Sequence, residues 1–484
     1  MMIRWIMLLL ALFPASASAK TLYVDAATGS DATSYAVNGS GAPWATVMRA
    51  AWGSTNPASK VSGEAAAAGD LVLLSAGTYG TTNTVTGCGD ANARWAVALN
   101  PVNDGSSGNP IIFRAVGTVT ILLSSGYVGP TIGASGKDYI VWDGITIDEG
   151  AAAGQSCGDT GSTVLFSTIG SQIINSHITG TDHSWDDNYN GIRLEQTLNA
   201  RIYNNTITTI LCASSPTFTS NCASIMLYDT ESAIIEHNTL SNASTGIYVK
   251  GDHAADGWPQ ISNIVRRNWI ENMTSHGINL AAGDSTQIYQ NILKTVVNGI
   301  YIQDFGTPQS SNITIQNNTL ISTNEASDSG ISYAGTTNID TMRAFNNILY
   351  GSFSEAINIG LANLGSNSYE HNLYNGYDAW GSVAGAVRTF ATWQGTYGQD
   401  SASPAGITSD PLFVDTTYYK LQAGSPARSL GIDILNLAGG GTSGSVHAGA
   451  YLTGNETIGV EGQAPSTTTL GVSTLFGTIT VGIQ

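Results

Sequence analysis

The feature that most constrains the fold is an asparagine that recurs through the middle of the chain between apolar residues. The asparagines are Asn205, Asn238, Asn268, Asn291, Asn318, Asn347 and Asn372, at steps of 33, 30, 23, 27, 29 and 25 residues. Ser176 occupies the same position in the preceding segment, IINSHI. Repeats of this length are typical of solenoids. Because the steps vary, we expect insertions of different length between fixed elements.

A second motif alternates with the first and identifies the repeating element as a strand. It reads NGIRLE from Asn190, TGIYVK from Thr245 and NGIYIQ from Asn298, among other copies. β-Branched residues recur at every second place, which is the period of a strand and not of a helix. Short strands that return once per turn predict an all-β parallel β-helix.

The repeated asparagines are best explained by structure. A buried turn leaves backbone groups unpaired, and a carboxamide offers both donors and an acceptor. Stacked at the strand spacing of about 4.8 Å, such side chains can bond to one another and to the turns of neighbouring rungs. We therefore assign these residues to the fold and not to a functional site.

Composition limits the function. Charged residues make up 11% of the 484 residues, and the formal net charge is −18. This charge argues against nucleic acid, and against anionic polymers unless a local basic groove or a bridging cation reverses the field. We expect one elongated, monomeric body with caps.

The two ends of the chain differ from its middle. Residues 1–19 have one arginine, an apolar run and small residues before Lys20, which is the layout of a cleaved secretory signal. The apolar run is too short for a mature membrane span, so we expect a secreted or periplasmic protein without membrane insertion. Residues 452–484 are rich in Thr, Ser and Gly and form a tail of open purpose.

Four cysteines in an exported chain fit two disulfides. Cys212 and Cys222 flank one insertion and would staple it, which leaves Cys88 and Cys157 for each other. Four cysteines allow three pairings. The absence of CxxC and of paired histidines argues against a metal role for the cysteines.

In chain order, we assign residues 20–69 to an N-terminal strand and capping helix, 70–400 to the β-helix and 401–451 to a C-terminal cap. The phrases YVD, GSD, PWATVMRAA and AGDLVLLSAGTY open the mature chain, and SDPLFVD and LQAGSPARSLGID close it. In this order they resemble the secreted proteins of the pectate lyase-like superfamily. The resemblance implies a single-stranded right-handed parallel β-helix, and it identifies architecture without activity.

The second motif also predicts a strip of outward-facing side chains, because side chains alternate faces along a strand. Tyrosines with charged and amide neighbours suit sugar binding, although ordinary strand faces also carry tyrosine. We predict polysaccharide binding by Glu195, Tyr228, Asn279, Tyr301 and Gln303, with His253 just beyond the strip. Residues 179–190 form an acidic loop beside Arg193, in which Asp182, Asp186 and Asp187 are candidate ligands of Ca²⁺.

Lys250 is the candidate base, being one of six lysines and pointing outward from the middle of the strip. A lyase base removes the proton next to a uronate carboxyl group, with Arg193 or Tyr248 assisting. The stretch from IYVKGD onward is similar in layout to the alginate lyase and chondroitinase B group, in which an Arg follows the Lys by about one rung. Lys250 matches that Lys, and the Arg position falls near Ala281.

Three functions remain open from the sequence. The first is β-elimination of an acidic polysaccharide by Lys250, and the second is a non-catalytic carbohydrate-binding or cell-surface role for the same strip. The third is glycoside hydrolysis, for which Glu195 with Asp186 or Asp187 would form the necessary pair of carboxylates.

Overall fold

The computed structural model of the chain describes residues 19–87, 95–152, 161–182, 188–212, 221–251, 260–303, 310–322, 329–334, 341–360, 364–376, 381–402, 404–437, 445–454 and 456–460. Several sequence predictions lie outside these residues. They are most of the secretory signal, the tail from residue 461, and the residues Cys88, Cys157, Asp186, Asp187 and His253.

The body of the molecule is a right-handed parallel β-helix, as the sequence predicts. One 29-stranded sheet winds around a common core, and its strands pair in parallel except for a terminal hairpin. The chain passes in turn through three flat stacks of strands, which we call sheets I, II and III. One circuit of the three forms a rung.

Sheet I is formed by Ile132–Ser135, Gly161–Ile169, Asn190–Leu198 and Ala223–Glu231, by the ends of Thr239–Lys250, Trp269–Ala281 and Ile292–Gln303, and by Ser329–Tyr333, Glu355–Ile359 and Gly381–Val383.

Sheet II is formed by Thr21–Val24, by the starts of Leu71–Thr81, Ile111–Leu123 and Ile140–Asp148, and by Gln172–Ile174, Arg201–Tyr203, Ile234–Glu236, Ile264–Arg266, Gln287–Tyr289, Thr314–Gln316, Arg343–Phe345 and Ser368–Glu370.

Sheet III is formed by the ends of Leu71–Thr81, Ile111–Leu123 and Ile140–Asp148, by His177–Thr179 and Thr206–Thr208, by the starts of Thr239–Lys250, Trp269–Ala281 and Ile292–Gln303, and by Thr319–Ser322, Ile348–Gly351, Leu373–Asn375 and Ile407–Thr408.

The remaining elements close the ends. A helix at Val47–Trp52 begins after Thr46, whose side chain accepts a hydrogen bond from the Arg49 N–H. Its Trp52 and the preceding Trp44 are fully buried in the core. At the other end lie the strand Ala386–Arg388 and the helix Phe390–Tyr397. The paired strands Gly431–Ile432 and Ser445–Val446 lie against the side of the β-helix, where Asn346 Nδ2 donates to the Ile432 carbonyl. A short 3₁₀ turn spans Ser62–Glu64. None of the described helices is long and apolar enough to cross a membrane.

The core consists of aligned columns of aliphatic side chains. In sheet I the register stacks isoleucines from seven successive rungs, all of them at most 1% exposed. They are Ile192, Ile225, Ile247, Ile278, Ile300, Ile331 and Ile357. The alternation read from the second motif places these side chains inside because sheet side chains point to opposite faces in turn.

The repeated asparagines form a continuous hydrogen-bonded ladder at the corner between sheets II and III. Each Nδ2 donates to the Oδ1 of the asparagine one rung later, at 3.0 or 3.1 Å. Each Oδ1 also accepts from the backbone N–H of the preceding ladder residue, as Asn268 Oδ1 does from Asn238. Each Nδ2 donates in addition to a backbone carbonyl of the preceding rung, for example Asn291 to Val265 at 3.0 Å. The structural interpretation of the asparagines is therefore confirmed.

The ladder has a direction, and its two ends are chemically different. At the N-terminal end, the Ser176 N–H donates to Asn205 Oδ1 at 2.9 Å, and Ser176 Oγ accepts from the Ile145 N–H. At the C-terminal end, Asn372 Nδ2 donates to Asp400 Oδ1 at 3.1 Å. A carboxylate is acceptor-only, so it can end a row of donors without leaving a donor of its own unpaired.

The insertion between sheets III and I before residue 223 is fastened by a disulfide between Cys212 and Cys222, with their Cα atoms 6.2 Å apart. This pairing confirms the prediction made from the sequence. Both cysteines are buried against the core, so the disulfide fixes the start of the strand Ala223–Glu231.

An ion-pair cluster crosses three rungs on the outer face of sheet II. The buried Glu236 carboxylate pairs with two arginines, one at each oxygen. Arg201 lies 2.6 Å from Oε1, and Arg266 lies 2.6 Å from Oε2. Burial alone would raise the pKa of Glu236, but the Arg266 and Arg201 guanidiniums outweigh it and hold the pKa below its usual range. The folded state therefore favours the ionised carboxylate.

We expect Glu236→Gln to make stability less dependent on pH in the acid range. In the native chain, the ionised Glu236 stabilises the fold above its ordinary pKa of 4.5, and this contribution is lost as pH falls through the lower folded value. The variant should lose roughly 2 kcal/mol of stability near neutral pH, the contribution of hydrogen bonds to a charged group, and show a shallower loss towards pH 3. Denaturant unfolding across this pH range measures both effects. Glu271→Gln, a 30% exposed carboxylate 3.9 Å from Lys294, should change neither.

Candidate functional site

The outer face of sheet I carries the strip of side chains, and the strand register fixes which of them are neighbours. One column runs through Arg193, Met226, Tyr248, Asn279, Tyr301 and Ser332. A parallel column runs through Glu195, Tyr228, Lys250, Ala281 and Gln303. Neighbours in a column lie about 4.8 Å apart, so a ligand along the helix axis would cross them in this order.

The strip is less exposed than an ordinary solvated strand face. Tyr248 is 2% exposed, Asn279 1% and Lys250 8%. Tyr228, Tyr301 and Gln303 are half-buried, as are Glu355 and Asn358 further along sheet I. The half-buried side chains are the most accessible part of the strip.

Arg193 is held by neighbours on its own strand. Its Nη2 lies 2.6 Å from Glu195 Oε2, its Nε donates to the same oxygen, and its Nη1 donates to Asn190 Oδ1 at 3.3 Å. The guanidinium carbon lies 5.6 Å from the ring centre of Tyr228 and 5.7 Å from that of Trp95. Glu195 therefore orients Arg193 as well as lying in the sugar-facing column.

Lys250 lies two rungs further along, on the other side of Tyr228. Its Nζ donates to Asn221 Oδ1 at 2.9 Å and lies 5.9 Å from the ring centres of both Tyr228 and Tyr248. Tyr228 is thus shared by the two cations, Arg193 and Lys250. The register places Ala281 beside Lys250 on the next rung, so the second position of the alginate lyase-type pair holds a methyl group.

Tyr248 and two amides form a neutral group next to Lys250. Gln303 Nε2 donates to the Tyr248 hydroxyl and to Asn279 Oδ1, each at 3.2 Å. Burial, with a smaller contribution from Tyr301, raises the pKa of Tyr248 well above its usual range. The hydroxyl is therefore protonated at neutral pH and can donate a proton or a hydrogen bond, but it is not poised to act as a base.

His276 was not identified from the sequence, yet it lies in the strip. Its ring stacks on Tyr301, with centroids 4.4 Å apart, and its Nδ1 lies 3.2 Å from Asn298 Nδ2. Burial lowers the pKa of His276 to about 3. A neutral imidazole extends the apolar and amide character of this part of the strip.

We expect the His276 imidazole not to titrate between about pH 4 and pH 8, because protonation would place an ion in a buried site. In the unfolded chain the same group has a pKa near 6.5. Stability should therefore begin to fall as pH drops below about 6.5 and keep falling towards 3, because only the unfolded chain takes up this proton. Imidazole NMR signals against pH measure the titration directly.

Other residues of the site were also missed. Asn221 immediately precedes Cys222, so the disulfide positions the amide that contacts Lys250. Trp95 stacks on Phe166 at 4.2 Å between ring centroids and reaches Arg193 from outside the repeats. Neither residue belongs to a repeated motif, and only the cysteine spacing gave a signal for Asn221.

Of the predicted calcium ligands, only Asp182 is among the described residues. Its backbone pairs with that of Leu211 in an isolated parallel β-bridge. Asp186 and Asp187 lie outside them, as does His253. Within the described part of the chain, no group of three or more His, Cys, Asp and Glu side chains is placed to hold a metal ion. The calcium site stays a prediction, and so does a hydrolase pair that joins Glu195 to Asp186 or Asp187.

The family model described as right handed beta helix region matches residues 142–293 and 216–373. Pectate lyase Pel9A has a similar structure, with a TM-score of 0.54 and 14% sequence identity over 90% of this chain and 97% of that one. No curated protein matches the sequence.

Two further solved structures are more distant. A mannuronic acid specific family 6 polysaccharide lyase from human gut microbiota has a TM-score of 0.41 and 13% identity over 73% of this chain and 84% of that one. The Streptococcus pneumoniae surface protein and adhesin PfbA has a TM-score of 0.39 and 13% identity over 64% and 87%. At these values the likenesses concern architecture alone.

Proposed function

Since the chain is a right-handed parallel β-helix protein with the pectate lyase-like fold, we propose that it is an exported lyase that cleaves an acidic polysaccharide by β-elimination along the strip. One observation carries the proposal. Lys250 and Arg193 lie buried on the two sides of Tyr228, on the outer face that a polymer can follow. The buried disulfide supports export, because such bonds persist in oxidising compartments.

The proposed reaction assigns one role to each side chain. Lys250 in its neutral form removes the proton next to the uronate carboxyl group, and the electron pair forms a double bond as the bond to the leaving sugar oxygen breaks. Arg193 stabilises the negative charge that builds up on the carboxyl group. Tyr248, held protonated, donates its proton to the leaving oxygen. Glu195, Tyr228, Asn279, Tyr301 and Gln303 bind the sugars.

A second candidate is a non-catalytic carbohydrate-binding protein. It is favoured by the partners that both cations already have within the chain, Glu195 and Asn190 for Arg193 and Asn221 for Lys250. In that case the strip binds a polymer without reacting with it. The similarity of the Pel9A fold favours the lyase without deciding between the two.

The test is to incubate the protein with acidic and neutral glycans and to follow the absorbance of unsaturated uronate products. Elimination on an acidic polymer supports the lyase. A flat trace with every acidic polymer, together with retention on a glycan gel, rejects it and leaves the binding protein. Adding Ca²⁺ or EDTA tests whether the reaction needs a calcium ion, which Asp182, Asp186 and Asp187 would hold. Loss of activity with EDTA that Ca²⁺ restores is the expected result for that site.

A further inference from the structure

The strip has two chemically different halves. We call the rungs from Arg193 to Lys250 the cationic half, because they contain both cations of the strip. We call the rungs from His276 to Asn358 the amide half. Its outward side chains are Asn279, Tyr301, Gln303, Ser332 and Asn358, with neutral His276 stacked on Tyr301.

On sheet I, the amide half contains no positive charge and one negative charge. The sheet I segments 276–281, 298–303, 329–333 and 355–359 include no Lys or Arg, and Glu355 is their one acidic residue. Ser382 Oγ lies 3.2 Å from Glu355 Oε2 and 3.1 Å from Asn358 Oδ1, so this end of the strip is a network of hydroxyl, amide and carboxylate groups.

The segments of the chain between these strands also carry negative charge. The connecting segments from residue 251 to residue 380 that enter or leave sheet I contain no Lys or Arg. They contain eight acidic residues, namely Asp252, Asp256, Asp284, Asp304, Glu325, Asp328, Asp340 and Asp378. In a chain of net charge −18, these segments therefore supply no positive charge to attract a polyanion.

A polymer bound along the axis crosses both halves. Carboxylates match the cationic half, where Arg193 and Lys250 outnumber the one carboxylate, Glu195. The two cations lie about 10 Å apart along it, two rung spacings. In the amide half a carboxylate would face Glu355 and amide oxygens, whereas the hydroxyls of a neutral sugar match amides, hydroxyls and aromatic rings. A uniform polyuronate therefore fits only part of the strip.

We infer that the substrate is a heteropolysaccharide in which uronates are separated by neutral sugars, with the uronate bound between Arg193 and Lys250 and the neutral sugars along the amide half. The inference rests on the proposed function for the position of the uronate. It goes further in naming a substrate class and in assigning the amide half to the selection of that class.

The experiment compares a uniform polyuronate, polygalacturonate, with deacylated gellan, a linear polymer whose glucuronates are separated by neutral sugars. Retention and elimination are measured for both at one ionic strength, with and without Ca²⁺. We expect a preference for gellan of roughly tenfold or more, the effect of one unfavourable charge contact. Equal or better use of polygalacturonate, in either ion condition, overturns the inference.

The two readouts separate this inference from the proposed function. If the protein retains gellan better than polygalacturonate but cleaves neither, the result argues against the lyase and supports the class of polymer. If the protein cleaves polygalacturonate faster than gellan, the result supports the lyase and rejects the proposed class of polymer. Retention of neither polymer overturns the substrate class, and the wider panel of acidic glycans then decides the proposed function.

A variant pair tests the assigned cause. Glu355→Gln removes the negative charge and keeps an acceptor for Ser382, so the ratio of polygalacturonate to gellan retention should rise several-fold. Glu271→Gln removes a charge from the outer face of sheet III and should leave the ratio unchanged. An equal change in both variants would mean that overall charge, and not the amide half, sets the preference.

Discussion

Lys250→Ala should lower the rate of elimination by about 10²–10⁴-fold, the usual contribution of a positioned general base. The loss should appear in kcat, because the amine acts on the proton in the transition state, and binding along the rest of the strip is retained. The Nζ makes one described hydrogen bond, to Asn221 at 2.9 Å. Lys250 lies on the outer face of sheet I and outside the core columns, so the variant should fold as the native chain does, which thermal unfolding checks.

Lys294→Ala is the matched control for this substitution. Lys294 also points outward from a rung strand, but it lies on sheet III and faces Glu271 at 3.9 Å. Its removal should leave elimination unchanged. Full activity of Lys250→Ala would reject Lys250 as the base, and equal losses in both variants would indicate an effect of general charge.

Asp400→Asn should be strongly destabilising, although it replaces only one side-chain oxygen by an NH₂ group. Asp400 Oδ1 accepts from the N–H of Asn372 at 2.9 Å and from its Nδ2 at 3.1 Å. Its Oδ2 accepts from the Tyr374 hydroxyl at 2.6 Å and from Trp393 Nε1 at 3.0 Å. An asparagine has one acceptor oxygen, so in either orientation its NH₂ group faces buried donors.

We expect this change to lower the free energy of unfolding by about 3 kcal/mol, from buried donors left without acceptors. Urea unfolding, together with proteolysis near residue 400, measures the loss. Burial raises the pKa of Asp400, although its four donors oppose that shift. Asp410→Asn is the control, because exposed Asp410 accepts one hydrogen bond among the described residues, from the Leu412 N–H, and an asparagine keeps that acceptor. A stability equal to that of the native chain would show that the ladder does not depend on its end.

The asparagine ladder could be predicted from the sequence because its parts recur in one local pattern. An apolar residue, an asparagine and a second apolar residue are enough to fix the corner of a rung. Its end could not be predicted, since Asp400 lies in the cap sequence TYGQDSASP, which has no copy of that pattern. Asp400 takes its place through the tertiary packing of Trp393 and Tyr374.

The strip was predictable to a different degree. Alternation along NGIRLE and TGIYVK indicates which side chains leave the core, and aligned motifs indicate which of them are neighbours. Burial was not predictable, because it depends on what packs over sheet I. The contacts of Lys250 with Asn221 and of Arg193 with Trp95 join segments of unrelated sequence. His276 was missed because the strip was taken from the residues that follow the first isoleucine of each copy, whereas His276 precedes that isoleucine.

The one-way direction of the ladder has a consequence for biosynthesis. Every asparagine amide donates to a residue that the ribosome adds 23 to 33 residues later, so each new corner leaves one amide waiting for its acceptor. Only Asp400 accepts without needing a successor. Until residue 400 has been made, the last corner of a nascent chain therefore lacks its acceptor. Any product truncated before that point ends on an exposed corner whose amide has no acceptor in the next rung.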